Sequence, residues 1–253
     1  YLGMLGLPME PTPRFPDPNE LSGVPVLLTA SSAKDPDVME KLKTYLRAGG
    51  TAVLTSGFHE RMQGRGLEEV TTLRPTGRKM DIREYGTETL SCTFGDFSDN
   101  GVPVSFPVFD YDTNGTWQSI VGFSGENNIP VLMYDNYGQG RAFTLVIPDN
   151  FHDLMKLPEG VLNAIRSVLS ETGLPARLEG KSGVGLFLYD NGSLVVESFR
   201  DAPEAWRVSL PENQRLEHAE GGSIPRVGQK DGRATFEIRL MPHTYGLYRI
   251  VNS

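Results

Sequence analysis

The feature that most constrains this chain is a buried strand, a helix and a second buried strand in succession between residues 24 and 55. Val24-Pro25-Val26-Leu27-Leu28-Thr29 is a short, nearly continuous apolar run. A strand of a parallel sheet needs such a run, because both of its faces are covered. Ser31-Ser32-Ala33-Lys34-Asp35-Pro36 follows, offering oxygens that can cap a helix and a proline suited to a first helical turn. Val38, Leu42, Tyr45 and Leu46 then recur at helical spacing, with Glu40, Lys41, Lys43 and Arg47 on the other side. Gly49-Gly50 ends the helix, and Thr51-Ala52-Val53-Leu54-Thr55 supplies the second strand. The pattern predicts one βαβ unit with a right-handed crossover.

The rest of the chain divides around that unit. The opening, Tyr1 followed by the apolar Leu2-Gly3-Met4-Leu5-Gly6-Leu7, reads as part of a longer polypeptide, and the proline-rich stretch 8–18 as a surface connection. Residues 56–116 carry short alternating pieces, 79–85 and 102–111, which predict insertions and edge strands. The apolar runs 130–134 and 141–147, joined through Asn136-Tyr137-Gly138-Gln139-Gly140, predict a hairpin. Val161, Leu162, Ile165, Val168 and Leu169 form the stripe of a helix ending near Gly173. Beyond 178 helical periodicity disappears. Candidate strands at 184–189, 193–199, 206–210, 234–240 and 245–251, with a hairpin signal at Asn191-Gly192, predict an all-β sandwich with its Greek-key connections open. The expected domains are an α/β domain over 1–178, without its upstream part, and a β-sandwich over 179–253.

Charge and composition narrow the function. With 24 basic against 32 acidic residues the net charge is -8, and no basic run appears, which argues against nucleic acid and against anionic membrane surfaces. No stretch approaches the roughly 20 apolar residues of a membrane span. Hydrophobic residues at 38% suffice for a core. The single cysteine, Cys92, excludes an internal disulfide and a thiolate cluster, but it fits a reducing or an oxidising compartment. Cytoplasm, periplasm and secretion all stay open.

Chemistry-bearing motifs are sparse. Gly180-Lys181-Ser182 lacks the glycine a phosphate loop requires at position 175, where Pro175 stands, and reads as a domain linker. Gly122-Phe123-Ser124-Gly125 lacks the spacing of a nucleophile elbow. Cys92 sits in Leu90-Ser91-Cys92-Thr93-Phe94, an ordinary strand, and reads as a buried structural thiol. His59, His152, His218 and His243 show no metal-ligand spacing, so neither zinc nor another cofactor is expected. Three acidic and amide-rich segments, 110–114, 134–137 and 149–153, fit turn and capping chemistry, since the first lacks the Glu at the twelfth position of a calcium loop. Phe58-His59-Glu60, placed after the second strand, lies where open α/β sheets form their crevice, which makes His59 and Glu60 candidate acid/base groups, although capping or packing explains them too. The aromatics Tyr111, Trp117, Tyr134 and Tyr137 could stack on sugar rings or pack in the core, and Tyr111, Trp117 and Tyr137 are the candidate glycan surface.

These residues carry a resemblance. Residues 24–54, with Leu46-Arg47-Ala48-Gly49-Gly50 at the helix end, resemble class I glutamine-amidotransferase-like domains, in the version that forms the trimerisation domain of bacterial β-galactosidases. Pro130-Val131-Leu132 followed by Tyr137-Gly138-Gln139-Gly140-Arg141 is similar to a late segment of such domains, and Leu240-Met241-Pro242-His243-Thr244-Tyr245 to the C-terminal sandwich that follows them. The resemblance implies a flavodoxin-like doubly wound domain with insertions, followed by a small sandwich. No Gly-x-Cys-x-Gly occurs, so amidotransferase activity is not expected. It implies a noncatalytic, subunit-contacting module of a bacterial glycoside hydrolase-like protein. The expected partners are the catalytic barrel of the parent polypeptide or sister subunits, and a glycan. A stand-alone hydrolase and a glycan-binding module are the alternatives.

Overall fold

The computed structural model describes residues 2–21, 23–88, 94–125, 127–170 and 174–252. The chain divides into two compact units, Pro11–Ile165 and Tyr1–Glu10 with Arg166–Ser253. Together they make a mixed α/β domain and a β-sandwich.

In the first unit β1 (Val26–Leu28) and β2 (Thr51–Thr55) run parallel, joined by α1 (Val38–Arg47), which is the βαβ unit read from the sequence. Val38, Leu42, Tyr45 and Leu46 are buried as their spacing requires. Lys43, assigned to the polar side, is buried as well and pairs with Glu69 at 2.8 Å. The helix starts later than the serines suggest. Ser32–Lys34 forms a 3₁₀ turn, and buried Asp35 takes the Asp37 N–H at 3.0 Å and Lys41 at 2.8 Å. At the other end Gly49 is left-handed (φ 93°), while Gly50 N–H donates to the Tyr45 carbonyl and Gly49 N–H to that of Leu46, a Schellman cap.

After β2 the chain passes directly into α2 (Ser56–Met62), then into β3 (Arg74–Glu88), β4 (Phe94–Asp110), β5 (Thr116–Ser124), β6 (Asn127–Tyr137) and β7 (Gly140–Leu145), before α3 (Glu159–Ser170). The seven strands form one sheet in the order β1-β2-β7-β6-β5-β3-β4. Only β1, β2 and β7 are mutually parallel; β6, β5, β3 and β4 extend the sheet antiparallel. The predicted 130–147 hairpin is β6–β7, and the uncertain middle of the chain is the long β3–β4 pair with β4 at the edge. Cys92 and Gly173 lie outside the described residues.

The second unit pairs β8 (Arg177–Glu179), β11 (Glu204–Pro211), β14 (Arg233–Leu240) and β13 (Arg226–Lys230) in one sheet. Its other sheet holds β9 (Val184–Leu188), β10 (Ser193–Ser198), β15 (Tyr245–Asn252) and β12 (Gln214–His218). Trp206, Phe236, Leu186, Val196 and Tyr248 meet in its core. The chain changes sheet between β8 and β9, β10 and β11, β11 and β12, β12 and β13, and β14 and β15. β9 and β10 pair antiparallel across the predicted hairpin at Asn191-Gly192, where only Gly192 takes positive φ; a second hairpin, with a two-residue turn at Asp231 (50°) and Gly232 (70°), joins β13 to β14. The opening segment belongs here: Leu2, Leu5 and Leu7 are buried, and Leu5 bridges to Val184.

Candidate functional site

The strand-end crevice is a closed joint. Ser56, where β2 turns into α2, is buried; its Oγ accepts the Ile147 N–H at 3.1 Å and lies 3.5 Å from the Ile147 carbonyl. His59, one turn on, is 1% exposed, its Nε2 2.9 Å from Thr144 Oγ1 and its ring edge-on to Phe109 at 5.5 Å. Burial draws the imidazole from 6.5 down to about 4, against the Leu73 backbone, which favours the protonated ring. Nδ1 itself has no hydrogen-bond partner among the described residues. Glu60 is exposed. The structure therefore does not bring the two candidate acid/base groups together.

The Tyr-Gly-x-Gly-Arg segment is also explained by packing. A Cβ on Gly140 would lie 2.4 Å from the carbonyl oxygens of both Gly50 and Leu46, and one on Gly138 (φ 61°) 2.9 Å from Arg47 Cα. The β6–β7 turn thus presses backbone to backbone against the end of α1, and Arg141 N–H donates to Gly50 O at 3.1 Å. Tyr137 serves the same joint: its hydroxyl meets Arg47 Nη2 at 3.0 Å and its ring lies 5.6 Å from that guanidinium.

The three candidate glycan aromatics do not share a surface. Tyr111 is half-buried and bonded to Gln118, and Tyr137 packs on the α1 core. Trp117 stands apart, 49% exposed, stacked on Tyr134 at 6.4 Å and 15°. Arg141 lies over Tyr134, 4.6 Å from the ring centre.

One polar centre escaped sequence reasoning. Asp135 is 3% exposed on β6 and has no cation beside it among the described ion pairs; instead it accepts from Thr116 Oγ1 (2.6 Å), Thr71 Oγ1 (2.8 Å) and Thr72 N–H (3.3 Å). Burial raises its pKa against those three hydrogen bonds. The other acidic segments do local work: Asn150 caps the 3₁₀ turn Phe151–Lys156, Asp149 pairs with Lys79 at 2.7 Å, and Asp112 with Arg74 at 3.2 Å. Among the described residues no group of three or more His, Cys, Asp or Glu could hold a metal ion, and no helix is long and apolar enough to cross a membrane.

In the sandwich unit, Gly180-Lys181-Ser182 is a junction. The Lys181 carbonyl accepts from Trp206 Nε1 at 2.7 Å, and buried Arg166 donates to the carbonyls of Leu5, Gly180 and Lys181. The two sheets differ in their outer faces. On β8, β11 and β14 that face carries Glu179, Arg207 and Glu237 in one cross-strand row. On β9, β10 and β15 it carries Phe187, Val195 and Leu247 in one row and Gly185, Glu197 and Tyr245 in the next, with Phe199 beside Gly185. Phe187 is 42%, Leu247 46% and Tyr245 70% exposed.

Residues 1–150 match the family model of the second domain of the uncharacterized protein SSO3021. The chain belongs to this family. Residues 175–250 match a second model, the C-terminal domain of a probable glycosyl hydrolase. No curated protein matches it. Among solved structures it is similar to Gan42B, a GH42 β-galactosidase of G. stearothermophilus (TM-score 0.49, 14% identity, 90% of this chain and 31% of that one). It is also similar to the β-galactosidase of Bacillus circulans sp. alkalophilus (0.46, 14%, 89% and 32%) and to the cytoplasmic protein STM1381 of Salmonella typhimurium LT2 (0.46, 12%, 68% and 80%). The chain spans about a third of the length of the β-galactosidases it matches.

Proposed function

We propose that this chain is a noncatalytic accessory and assembly module from the carboxyl end of a bacterial glycoside hydrolase-like protein. Its flavodoxin-like, amidotransferase-like part (1–178 by sequence) and its β-sandwich (179–253) make subunit contacts, trimerisation among them, and hold a glycan near a site carried elsewhere. The observation that carries this reading is the apolar row Phe187, Val195 and Leu247, flanked by Tyr245 and Phe199, on the outer face of β9, β10 and β15, where the opposite sheet carries the charged row Glu179, Arg207 and Glu237. A solvated sandwich normally keeps both outer faces polar, and exposed contiguous apolar patches mark interaction surfaces. The glycosyl-hydrolase model over 175–250, the same unit, supports a catalytic barrel as the surface that covers it.

The experiment is a pull-down of the parent's catalytic barrel by the chain and by a Phe187→Ser, Leu247→Ser variant. Retention by the parent chain, lost in the variant with an unchanged melting temperature, is expected. Equal retention of the barrel by both would overturn the assignment of this face. A stand-alone hydrolase acting on a carbohydrate or ester through His59 and Glu60 has less support, since α2 buries the first and exposes the second. Ester or aryl-glycoside turnover lost in both His59→Ala and Glu60→Ala would revive it.

A further inference from the structure

A second constellation, exposed at Trp117, Asn136 and Arg141, lies in the α/β unit and shares no residue with the sandwich face. Trp117 is the direct cross-strand neighbour of Tyr134, and Tyr134 of Phe143, so three rings stand in one row across β5, β6 and β7. The first two are nearly parallel, and Phe143 lies 5.6 Å from Tyr134. Arg141 precedes Phe143 by two residues on the same strand face, and its guanidinium rests 4.6 Å from the Tyr134 ring centre and 5.8 Å from that of Phe143. Asn136 is the cross-strand neighbour of Arg141 and is exposed, as is Arg141.

Arg141 has no carboxylate partner among the described ion pairs. The nearest acid along β6, Asp135, alternates to the other face, where the three threonines hold it. Stacking on two rings fixes the guanidinium fork while leaving it without a counter-charge, on a chain of net charge -8.

We infer that Trp117, Tyr134, Asn136 and Arg141 form a surface site for an acidic glycan, a chain bearing uronate residues. A pyranose offers an apolar face of C–H groups, which an exposed indole removes from water. Its carboxylate matches the planar guanidinium fork, and its hydroxyls match a carboxamide that both donates and accepts. A neutral sugar would leave the guanidinium without its counter-charge. The site shares no residue with the apolar sheet face of the sandwich, so either proposal can fail without the other.

The test is a tryptophan-fluorescence titration of the whole chain with galacturonate trimer and, in parallel, galactose trimer. The chain has two tryptophans, and Trp206, fully buried and bonded to the Lys181 carbonyl, is a silent internal reference. A saturable change with the uronate trimer is expected, absent in Trp117→Ala and weakened about tenfold in Arg141→Gln, the scale of one charge-assisted hydrogen-bonded pair. Arg141→Lys, which keeps the charge but not the fork, should also weaken it. Both positions are exposed, and circular dichroism melts check that each variant folds. No saturable change with the uronate trimer, an equal response to the neutral one, or undiminished binding of the uronate trimer to Trp117→Ala by calorimetry would overturn the site.

Discussion

His59 is a histidine that the fold keeps neutral. Its imidazole titrates at about 4 when folded and near 6.5 when unfolded. Between those values the unfolded chain binds the extra proton, so this residue's contribution to stability is complete above pH 6.5 and is lost as the pH falls toward 4. The 2.5-unit gap corresponds to about 3 kcal/mol. Urea unfolding from pH 7 to pH 4 should show a loss of about this size that largely disappears in His59→Gln, which keeps a partner for Thr144; an unaltered pH profile would refute the assignment. Asp135 runs the other way: its folded pKa is raised, so its contribution falls as the pH rises through the carboxylate range. Asp135→Ala should cost about 2–3 kcal/mol by leaving Thr71, Thr116 and the Thr72 N–H without their acceptor. Gly140→Ala drives a methyl group into two backbone carbonyls and should cost about 3 kcal/mol or more, whereas Gly228→Ala, whose added Cβ would meet only Thr235 at 3.8 Å, should cost far less. Chemical denaturation of the two variants side by side decides this.

At the scale of elements, the legible parts were those whose apolar runs are bounded by glycine. The βαβ unit and the β6–β7 hairpin are of this kind, and the glycines that end them turned out to touch one another. The β3–β4 pair was legible only as fragments, because Pro75, Gly77, Gly101 and Pro103 interrupt its alternation and the register shifts along the pair. β12 and β13 were missed altogether. Gln214-Arg215-Leu216-Glu217-His218 buries only Leu216, and Arg226-Val227-Gly228-Gln229-Lys230 buries nothing, so neither shows a period, although Asp231-Gly232 marks the turn after β13. Asp135 was read as turn chemistry because its residue type favours turns. Its role depends on Thr71 and Thr72, more than sixty positions away, and on Thr116, a long-range pattern a sequence does not display. The buried Arg166 is a similar case: it ties Leu5 to the 180–181 junction. Arg166→Met should cost about 3 kcal/mol by taking the guanidinium from the Leu5 and Gly180 carbonyls, while that of Lys181 keeps the Trp206 indole N–H, read as a fall in the urea midpoint.

At the scale of the whole molecule, the chain's surfaces say more than its titratable groups. The candidate acid/base residues separate into core and solvent, and the glycine motif joins a turn to a helix end. What stays exposed is an apolar row on the sandwich, Phe187 and Leu247 with Tyr245, and on the α/β sheet Trp117 with Arg141. Both suit a module that docks and positions. The most direct test of that account is the mass of the purified chain in solution by light scattering, alone and mixed with the catalytic barrel of the glycoside hydrolase proposed as its parent. The account predicts a discrete oligomer or a stable complex with the barrel, lost in Phe187→Ser, Leu247→Ser; a monomer that ignores the barrel at tens of micromolar would contradict it.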